Sequence, residues 1–214
     1  MPRIAQLIPA EMDAAQKAVY DNILAGPRDS LRGPFHAWLH SPELADRAQH
    51  LGAFCRFSTS LPPALSELAI LVIARHWRSQ FEWYAHAPMA LEAGIPEAVI
   101  EAIRCHQEPD LVESDQRVVY DFVGQLLRDR TVDQILYDQA VAALSERGLV
   151  DLVGIVGYYC LVSATLNVFD MPLPAGESEP LGPCRPADSG LEREWLRAGG
   201  LARRSLVGVR STDP

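Results

Sequence analysis

The chain has 214 residues, of which 48% are hydrophobic and 22% charged, and this composition is typical of one soluble globular domain. A chain of this size buries enough surface to fold without disulfides or a structural metal, which excludes the small stapled scaffolds. Its 19 basic and 28 acidic side chains give a net charge of -9, so we expect no nucleic-acid partner.

The N-terminal segment MPRIAQLIPAEMDAAQ lacks the continuous apolar run of a secretory signal, and we expect a cytoplasmic protein. The apolar window at residues 149–168 is interrupted by Asp151 and by small polar residues. We interpret it as a buried helix rather than a membrane span. The four cysteines form no C-x-x-C pair and no Cys/His cluster at zinc spacing, so we expect no metal site.

The sequence predicts an all-α fold, because no segment shows sustained apolar alternation and because Pro, Gly and capping residues bound helical segments. We assign residues 1–174 to one helical domain. At residues 175–214 the composition changes to Pro, Gly, Ser and Arg, which indicates a C-terminal extension that is partly extended or packed on a neighbouring subunit. The predicted helices are 9–25, 41–57, 64–93 (one long helix or two stacked helices), 96–105, 114–128, 133–147 and 149–168.

Polar residues recur on one side of the predicted central helix, in the segment RHWRSQFEWYAH at residues 75–86. On a continuous helix, the spacing i, i+4, i+7 and i+11 places four of them in one narrow stripe: Arg75, Ser79, Glu82 and His86. The preceding segment ELAILVI is apolar, so the helix should be largely buried, and Trp83 flanks the stripe. Such a stripe must face a cavity, another chain or compensating groups.

The chemistry of this stripe depends on Glu82 and His86. A carboxylate one turn before an imidazole can fix its tautomer and support proton transfer near neutral pH. Arg75 could bind a substrate carboxylate, and Ser79 could donate a hydrogen bond. Two other interpretations stay open, because Glu-x-x-x-His also occurs as an ordinary intrahelical pair and also resembles half of a metal site.

Two further residues are candidates for contact with a substrate. Tyr158 lies on the late apolar helix, where a phenol can face a pocket, although a core or interface position is an alternative. His36 lies in a predicted loop that could cover the pocket, and a packing role stays open for it.

Three segments resemble the carboxymuconolactone decarboxylase family, which shares its fold with alkyl hydroperoxidase D: LSELAILVIARHWRSQFEWYAHAPMALEAGIPEAVIEAI, DQRVVYDF and GLVDLVGIVGYYCLVSATLNVFDMPLP. The likeness covers residues 41–174 and includes an E…E-x-x-x-H pattern. It implies an alkyl hydroperoxidase D-like helical bundle that assembles as a homotrimer or homohexamer, with active sites near the subunit contacts. It also adds Glu67 to the catalytic set with Glu82 and His86.

The resemblance also implies a branch of the family. The redox branch carries a cysteine pair at the positions of Ser79 and Glu82, and neither residue can supply a thiolate, so we expect no thiol peroxidase activity. The decarboxylase branch carries a glutamate and a histidine at the spacing of Glu82 and His86. We therefore expect a cofactor-free, decarboxylase-type lyase that acts by proton transfer on a small lactone or carbonyl acid. The alternatives are an isomerase, hydratase or retro-aldol enzyme with the same site, or a non-catalytic helical oligomer that binds a small ligand.

Overall fold

The computed structural model describes residues 2–26 and 31–184. Every regular element in these ranges is helical, which confirms the all-α prediction, and residues up to Gly182 belong to one compact unit. Most of the predicted C-terminal extension, at 185–214, lies outside the described residues. The helices are α1 (Ala14–Ala25), α2 (Phe35–Trp38), α3 (Pro42–Phe57), α4 (Pro63–His76), α5 (Gln80–Glu92), α6 (Glu97–Arg104), α7 (Ser114–Asp129) and α8 (Gln134–Val168).

The first predicted helix begins later than the sequence suggested. Residues Pro9–Glu11 form a separate 3-10 turn, and α1 begins only after Asp13. The Asp13 carboxylate accepts a hydrogen bond from the Gln16 backbone N–H at 2.8 Å, and the Gln16 side chain accepts one from the Asp13 N–H at 3.0 Å. This capping box satisfies two of the free donors at the helix start, so it fixes the beginning of α1.

Helix α4 is the central helix of the core, and it contacts α5, α6, α7 and α8. The side chains buried along it cover almost its whole circumference and include Leu68, Ile70, Leu71 and Ile73, each at most 1% exposed. A helix that is apolar nearly all round lies inside the protein, so any charged group on it needs a partner there.

The two helices predicted at 133–147 and 149–168 are present as two helical segments that meet at a kink. The kink lies at Ser145, whose φ of 64° and ψ of 167° are not helical, and the two segments together are labelled α8. By length and composition α8 could cross a membrane, since its most apolar 18-residue window has a mean hydropathy of 1.8. However, 61% of that window is buried within the protein. This burial favours its interpretation as a core helix.

The long segment predicted at 64–93 is two helices, because α4 ends at His76 and α5 begins at Gln80. Arg78 has a left-handed φ of 50°. The Ser79 N–H donates to the Ala74 carbonyl at 2.8 Å, and the Arg78 N–H donates to the Arg75 carbonyl at 3.1 Å. This pair of bonds is a Schellman motif, which ends a helix and satisfies its last carbonyls. The prediction of one continuous polar stripe from Arg75 to His86 is therefore wrong, because these residues belong to two helices.

Candidate active site

The paired packing of α4 and α5 brings Glu67 and His86 together, although they are far apart in sequence. The His86 Nδ1 atom lies 2.7 Å from the Glu67 Oε2 atom, a distance typical of a strong hydrogen bond to a carboxylate. A carboxylate accepts only, so Nδ1 carries the proton that it donates. Glu67 therefore fixes the tautomer and the ring orientation of His86.

Glu82 approaches the other nitrogen of the same ring. Its Oε2 atom lies 3.4 Å from His86 Nε2, and the two residues are one turn apart on α5. Because the Nδ1 proton is held by Glu67, Nε2 is the atom that can exchange a proton with a reacting group. The imidazole thus lies between two carboxylates with different roles: one orients it at 2.7 Å, and the other lies beside its exchangeable position.

All three side chains are shielded from solvent, with exposed fractions of 5% for His86, 6% for Glu82 and 12% for Glu67. In such surroundings, charge interactions are stronger than they are in water. The closed geometry also means that a substrate can reach Nε2 only if neighbouring side chains move.

Aromatic rings from α8 and α2 cover this group. Tyr159 packs edge-on against His86, with ring centroids 5.1 Å apart, and Tyr158 packs against Tyr159 at 5.2 Å. Tyr158 then contacts Trp38 of α2 at 6.2 Å. The residue that packs against His86 is therefore Tyr159, which was not among the residues predicted for the site. The predicted residue, Tyr158, contacts Tyr159.

Trp38 holds α2 against α8, because its Nε1 donates a 2.9 Å hydrogen bond to the Thr165 hydroxyl. The turn before α2 needs Gly33, whose φ is +61° and whose Cα lies so near the Phe81 ring that a Cβ would be 3.0 Å from it. The segment predicted as a loop around His36 is thus a fixed helical turn. The His36 Nδ1 atom is buried without a hydrogen-bond partner in the described ranges. Burial lowers the pKa of His36, and a backbone hydrogen bond to Leu31 partly opposes this.

Ser79 lies on the same helix as Glu82 and His86, although the predicted stripe is broken. It is the N-cap residue of α5, is fully buried, and lies three and seven residues before Glu82 and His86 on the same helix face. Its hydroxyl makes no cap bond and has no hydrogen-bond partner among the described residues. Trp83, at 3% exposure, is part of the core next to Glu82. The Ser79 hydroxyl is thus a free donor in a buried position.

Arg75 lies in the last turn of α4, across the break from Ser79. Burial lowers the pKa of Arg75, and the charges of Arg78 and Arg104 lower it further. The charged groups that lower the pKa of Arg75 are thus other cations. Arg75 also lies on a different helix from Glu82 and His86, contrary to the predicted continuous stripe.

An open cleft of about 360 Å³ lies elsewhere, between α4, α7 and the start of α8. Its walls include Tyr120 and Asp121 and none of the residues predicted for the site. Burial raises the pKa of Asp121, while the charge of Arg117 lowers it and that of Glu108 raises it. Within 2–26 and 31–184, no group of three or more His, Cys, Asp or Glu side chains is arranged to hold a metal ion.

Comparison of the sequence with protein-family models gave no matching family, and comparison with curated proteins gave no match. The arrangement of Glu67, Glu82 and His86 in the structure is therefore the basis for a functional proposal.

Proposed function

We propose that the protein is a cofactor-free enzyme of the carboxymuconolactone decarboxylase type, which acts by proton transfer on a small lactone or carbonyl acid. The observation that supports this most directly is the buried imidazole of His86 between the carboxylates of Glu67 and Glu82, at 2.7 and 3.4 Å. A buried, oriented acid–base group of this kind suits general acid–base catalysis. Its order along the chain also fits the family resemblance.

In the proposed reaction the substrate itself accepts electrons. The bond between the carboxylate carbon and the neighbouring carbon breaks, carbon dioxide leaves, and the electron pair moves into the adjacent carbonyl as an enolate. The proposed cycle begins with His86 protonated on both ring nitrogens. Oriented by Glu67, His86 delivers the Nε2 proton to that carbon and keeps the Nδ1 proton, and Glu82 lies where it can pass a proton from solvent back to Nε2. Proton delivery by such a group contributes roughly 10²–10⁴-fold to the rate.

Ser79 is the proposed donor to the developing oxyanion. Its unpartnered hydroxyl lies at the N-terminal end of α5, where the helix dipole also favours negative charge. Ser79 and His86 are about 10 Å apart along the helix axis, so the substrate must span that face. Trp83, Tyr158 and His36 are proposed to shape the rest of the binding site.

The test is an assay of the full-length protein against unsaturated lactones and keto acids, with carbon dioxide release and product structure as readouts. We expect His86→Ala to reduce turnover of the active substrate by roughly 10²–10⁴-fold. His50→Ala is the matched control, because His50 is exposed on α3 and should leave turnover unchanged. Melting temperatures on the same preparations separate lost catalysis from lost folding. Full activity in folded His86→Ala would end the proposal.

The same panel distinguishes the related alternatives. Turnover without carbon dioxide release would favour an isomerase, hydratase or retro-aldol enzyme at the same site. Turnover of an alkyl hydroperoxide with a dithiol reductant should stay at background, because Ser79 and Glu82 supply no thiolate. Peroxidase activity that is lost on replacement of Cys55, Cys105 or Cys160 would contradict this expectation.

We also propose that the protein is a homotrimer or homohexamer. The exposed side of α8 carries a row of apolar residues at helical spacing, including Val150 at 70%, Val153 at 48% and Leu161 at 38% exposure, with Gly157 between them. An uncharged row of this length on a core helix is suited to a second copy of the chain.

Light scattering tests this assembly. We expect a trimer or hexamer for the wild type and a smaller species for Val153→Glu. Val112→Glu is the control, because Val112 is 86% exposed in a loop outside this row. A wild-type protein that is a stable monomer at micromolar concentration would contradict the proposed assembly.

A further inference from the structure

A cationic side chain with buried donors that lack a partner among the described residues lies at the C-terminal end of α4. The Nε and Nη1 atoms of Arg75 are buried and have no hydrogen-bond partner within 2–26 and 31–184. A guanidinium always carries its charge and has donors only. Leaving buried donors of this kind without acceptors is unfavourable, so the absence of an acceptor requires an explanation.

Further basic side chains surround this position. Arg78 follows α4 directly, and Arg104 lies in the last turn of α6, which packs against α4. Together with two histidines they form what we call the basic cluster: Arg75, His76, Arg78, Arg104 and His106. The charges of Arg75, Arg78 and His76 lower the pKa of His106, after the larger effect of its burial. The members of the cluster thus disfavour each other's charge.

The nearby carboxylate of Glu101 does not neutralise Arg75. It binds Arg104 through two hydrogen bonds of 2.7 and 2.6 Å. The remaining Nη1 atom of Arg104 donates to the carbonyls of Pro180 and Gly182 at 3.3 and 3.4 Å. Arg104 is therefore fixed by its own partners, and Glu101 supplies no acceptor to the buried Arg75 nitrogen atoms.

Basic residues are common at helix C-termini, where they cap free carbonyls, but these carbonyls already have backbone partners. At the end of α6, the Gln107 N–H donates to the Ala102 carbonyl at 2.8 Å, and the His106 N–H donates to the Ile103 carbonyl at 3.1 Å. This is a second Schellman motif like that at the end of α4. Capping therefore does not explain the cluster.

The residues at the two helix ends are also unusual for their conformation. Arg78 and His106 have φ values of 50° and 55° at the position where glycine is common. Helix α5 ends with the same motif and uses Gly94, with a φ of 96°. Two basic side chains thus occupy strained positions at one corner of the molecule, next to the N-terminal end of α5.

We propose that the basic cluster binds a small oxyanion with two negative charges, of the phosphate or dicarboxylate class. Arg75 supplies buried donors, Arg78 and the histidines supply exposed donors, and Arg104 adds fixed positive charge. The anion relieves the repulsion within the cluster and gives the Arg75 donors their acceptors. This site does not depend on the proton-transfer chemistry proposed for His86.

The test is calorimetric titration of the full-length protein with inorganic phosphate and, separately, with succinate, at one low ionic strength set with potassium chloride. We expect saturable binding of at least one anion, and the tighter one identifies the chemical class. Arg75→Met should weaken this binding by about tenfold or more, because hydrogen bonds to a charged group are lost. Arg78→Gly should weaken it as well. Arg47→Gln, on the exposed side of α3, is the matched control and should bind like the wild type.

Thermal unfolding without either anion separates binding from a purely structural role. Arg75→Met and Arg78→Gly should raise the melting temperature, because one removes buried unpaired donors and the other removes backbone strain. If Arg75→Met instead fails to fold, Arg78→Gly still tests binding. The proposal is overturned if the wild type binds neither anion saturably, or if Arg78→Gly and the folded Arg75→Met protein bind as tightly as the wild type.

Discussion

The buried charged side chains at the two ends of α4 differ in their partners. Near the start of the helix, Glu67 lies 2.7 Å from the His86 imidazole, which in turn has Glu82 on its other side. At the end of the helix, Arg75 is surrounded by further cations, and two of its buried nitrogen atoms have no partner among the described residues. The first group contains a hydrogen-bonded carboxylate–imidazole pair, whereas two nitrogen atoms of the second have no acceptor among the described residues. Burial alone therefore does not decide whether a charged side chain has a hydrogen-bond partner among the described residues, because the packing of the neighbouring helices decides it.

The largest effect on stability is expected from breaking the Glu67–His86 pair. Glu67→Leu leaves the buried His86 Nδ1 donor without its acceptor, and removing one member of a buried pair costs about 3 kcal/mol. Glu92→Leu is the control, because Glu92 is exposed at the end of α5, and its effect should stay within about 0.5 kcal/mol. Urea unfolding measures both. A Glu67→Leu protein as stable as the wild type would show that the pair is not required for the fold, and the comparison between the helix ends would fail.

Asp151 extends the comparison to a carboxylate that is satisfied by hydrogen bonds. Its Oδ2 atom accepts bonds from the Ser60 N–H and hydroxyl, both at 2.7 Å. Burial raises the pKa of Asp151, but the two Ser60 bonds and the charge of Arg147 outweigh this and lower it. We expect Asp151→Ala to cost about 2 kcal/mol at pH 7, because hydrogen bonds to a charged group are lost.

The pH dependence of this difference has a definite sign. A carboxyl with a lowered folded-state pKa stabilises fully above its unfolded value of about 3.9, and the contribution is lost as the pH falls through the folded value. The stability difference between wild type and Asp151→Ala should thus be constant above about pH 5 and shrink below about pH 4. Urea unfolding at several pH values measures it. A difference that grows toward acid pH would contradict the assigned cause.

The smallest effect is expected at Ser79. An N-cap serine normally contributes about 1 kcal/mol, but the Ser79 hydroxyl makes no cap bond, so Ser79→Ala should change stability by less than about 0.5 kcal/mol. Asp13→Ala is the matched control, because Asp13 caps α1 with a full capping box and should cost about 1 kcal/mol. If Ser79 is the proposed oxyanion donor, the alanine variant should lose activity while its unfolding curve stays unchanged. A destabilised Ser79→Ala would assign the hydroxyl a structural role.

The sequence predicts the helices well where local signals are strong. The second predicted helix, at 41–57, matches α3 closely because a proline and an acidic residue mark its start. The break between α4 and α5 could not be located, because the left-handed end residue is Arg78 rather than glycine. Because no glycine marks the end of α4, the sequence predicted Arg75 and His86 on one face of a single helix.

The site was predicted in part for a related reason. The i, i+4 spacing of Glu82 and His86 is local, so it is visible in the sequence, whereas the closer partner Glu67 belongs to another helix and was indicated only by the family resemblance. The choice between Tyr158 and Tyr159 depends on how α8 is rotated against α5. Adjacent helical residues differ by about 100° in direction, and no local pattern fixes that rotation.

The Tyr159 ring on His86 has a consequence for chemical labelling. An imidazole at 5% exposure, with Glu67 on one nitrogen and a perpendicular tyrosine ring packed against it, is shielded from electrophiles dissolved in the solvent. The exposed imidazoles of His40 and His50 should therefore react first with an acylating reagent such as diethyl pyrocarbonate. The rate at which His86 is acylated would then report how often α8 and α5 move apart, and a true substrate should change that rate.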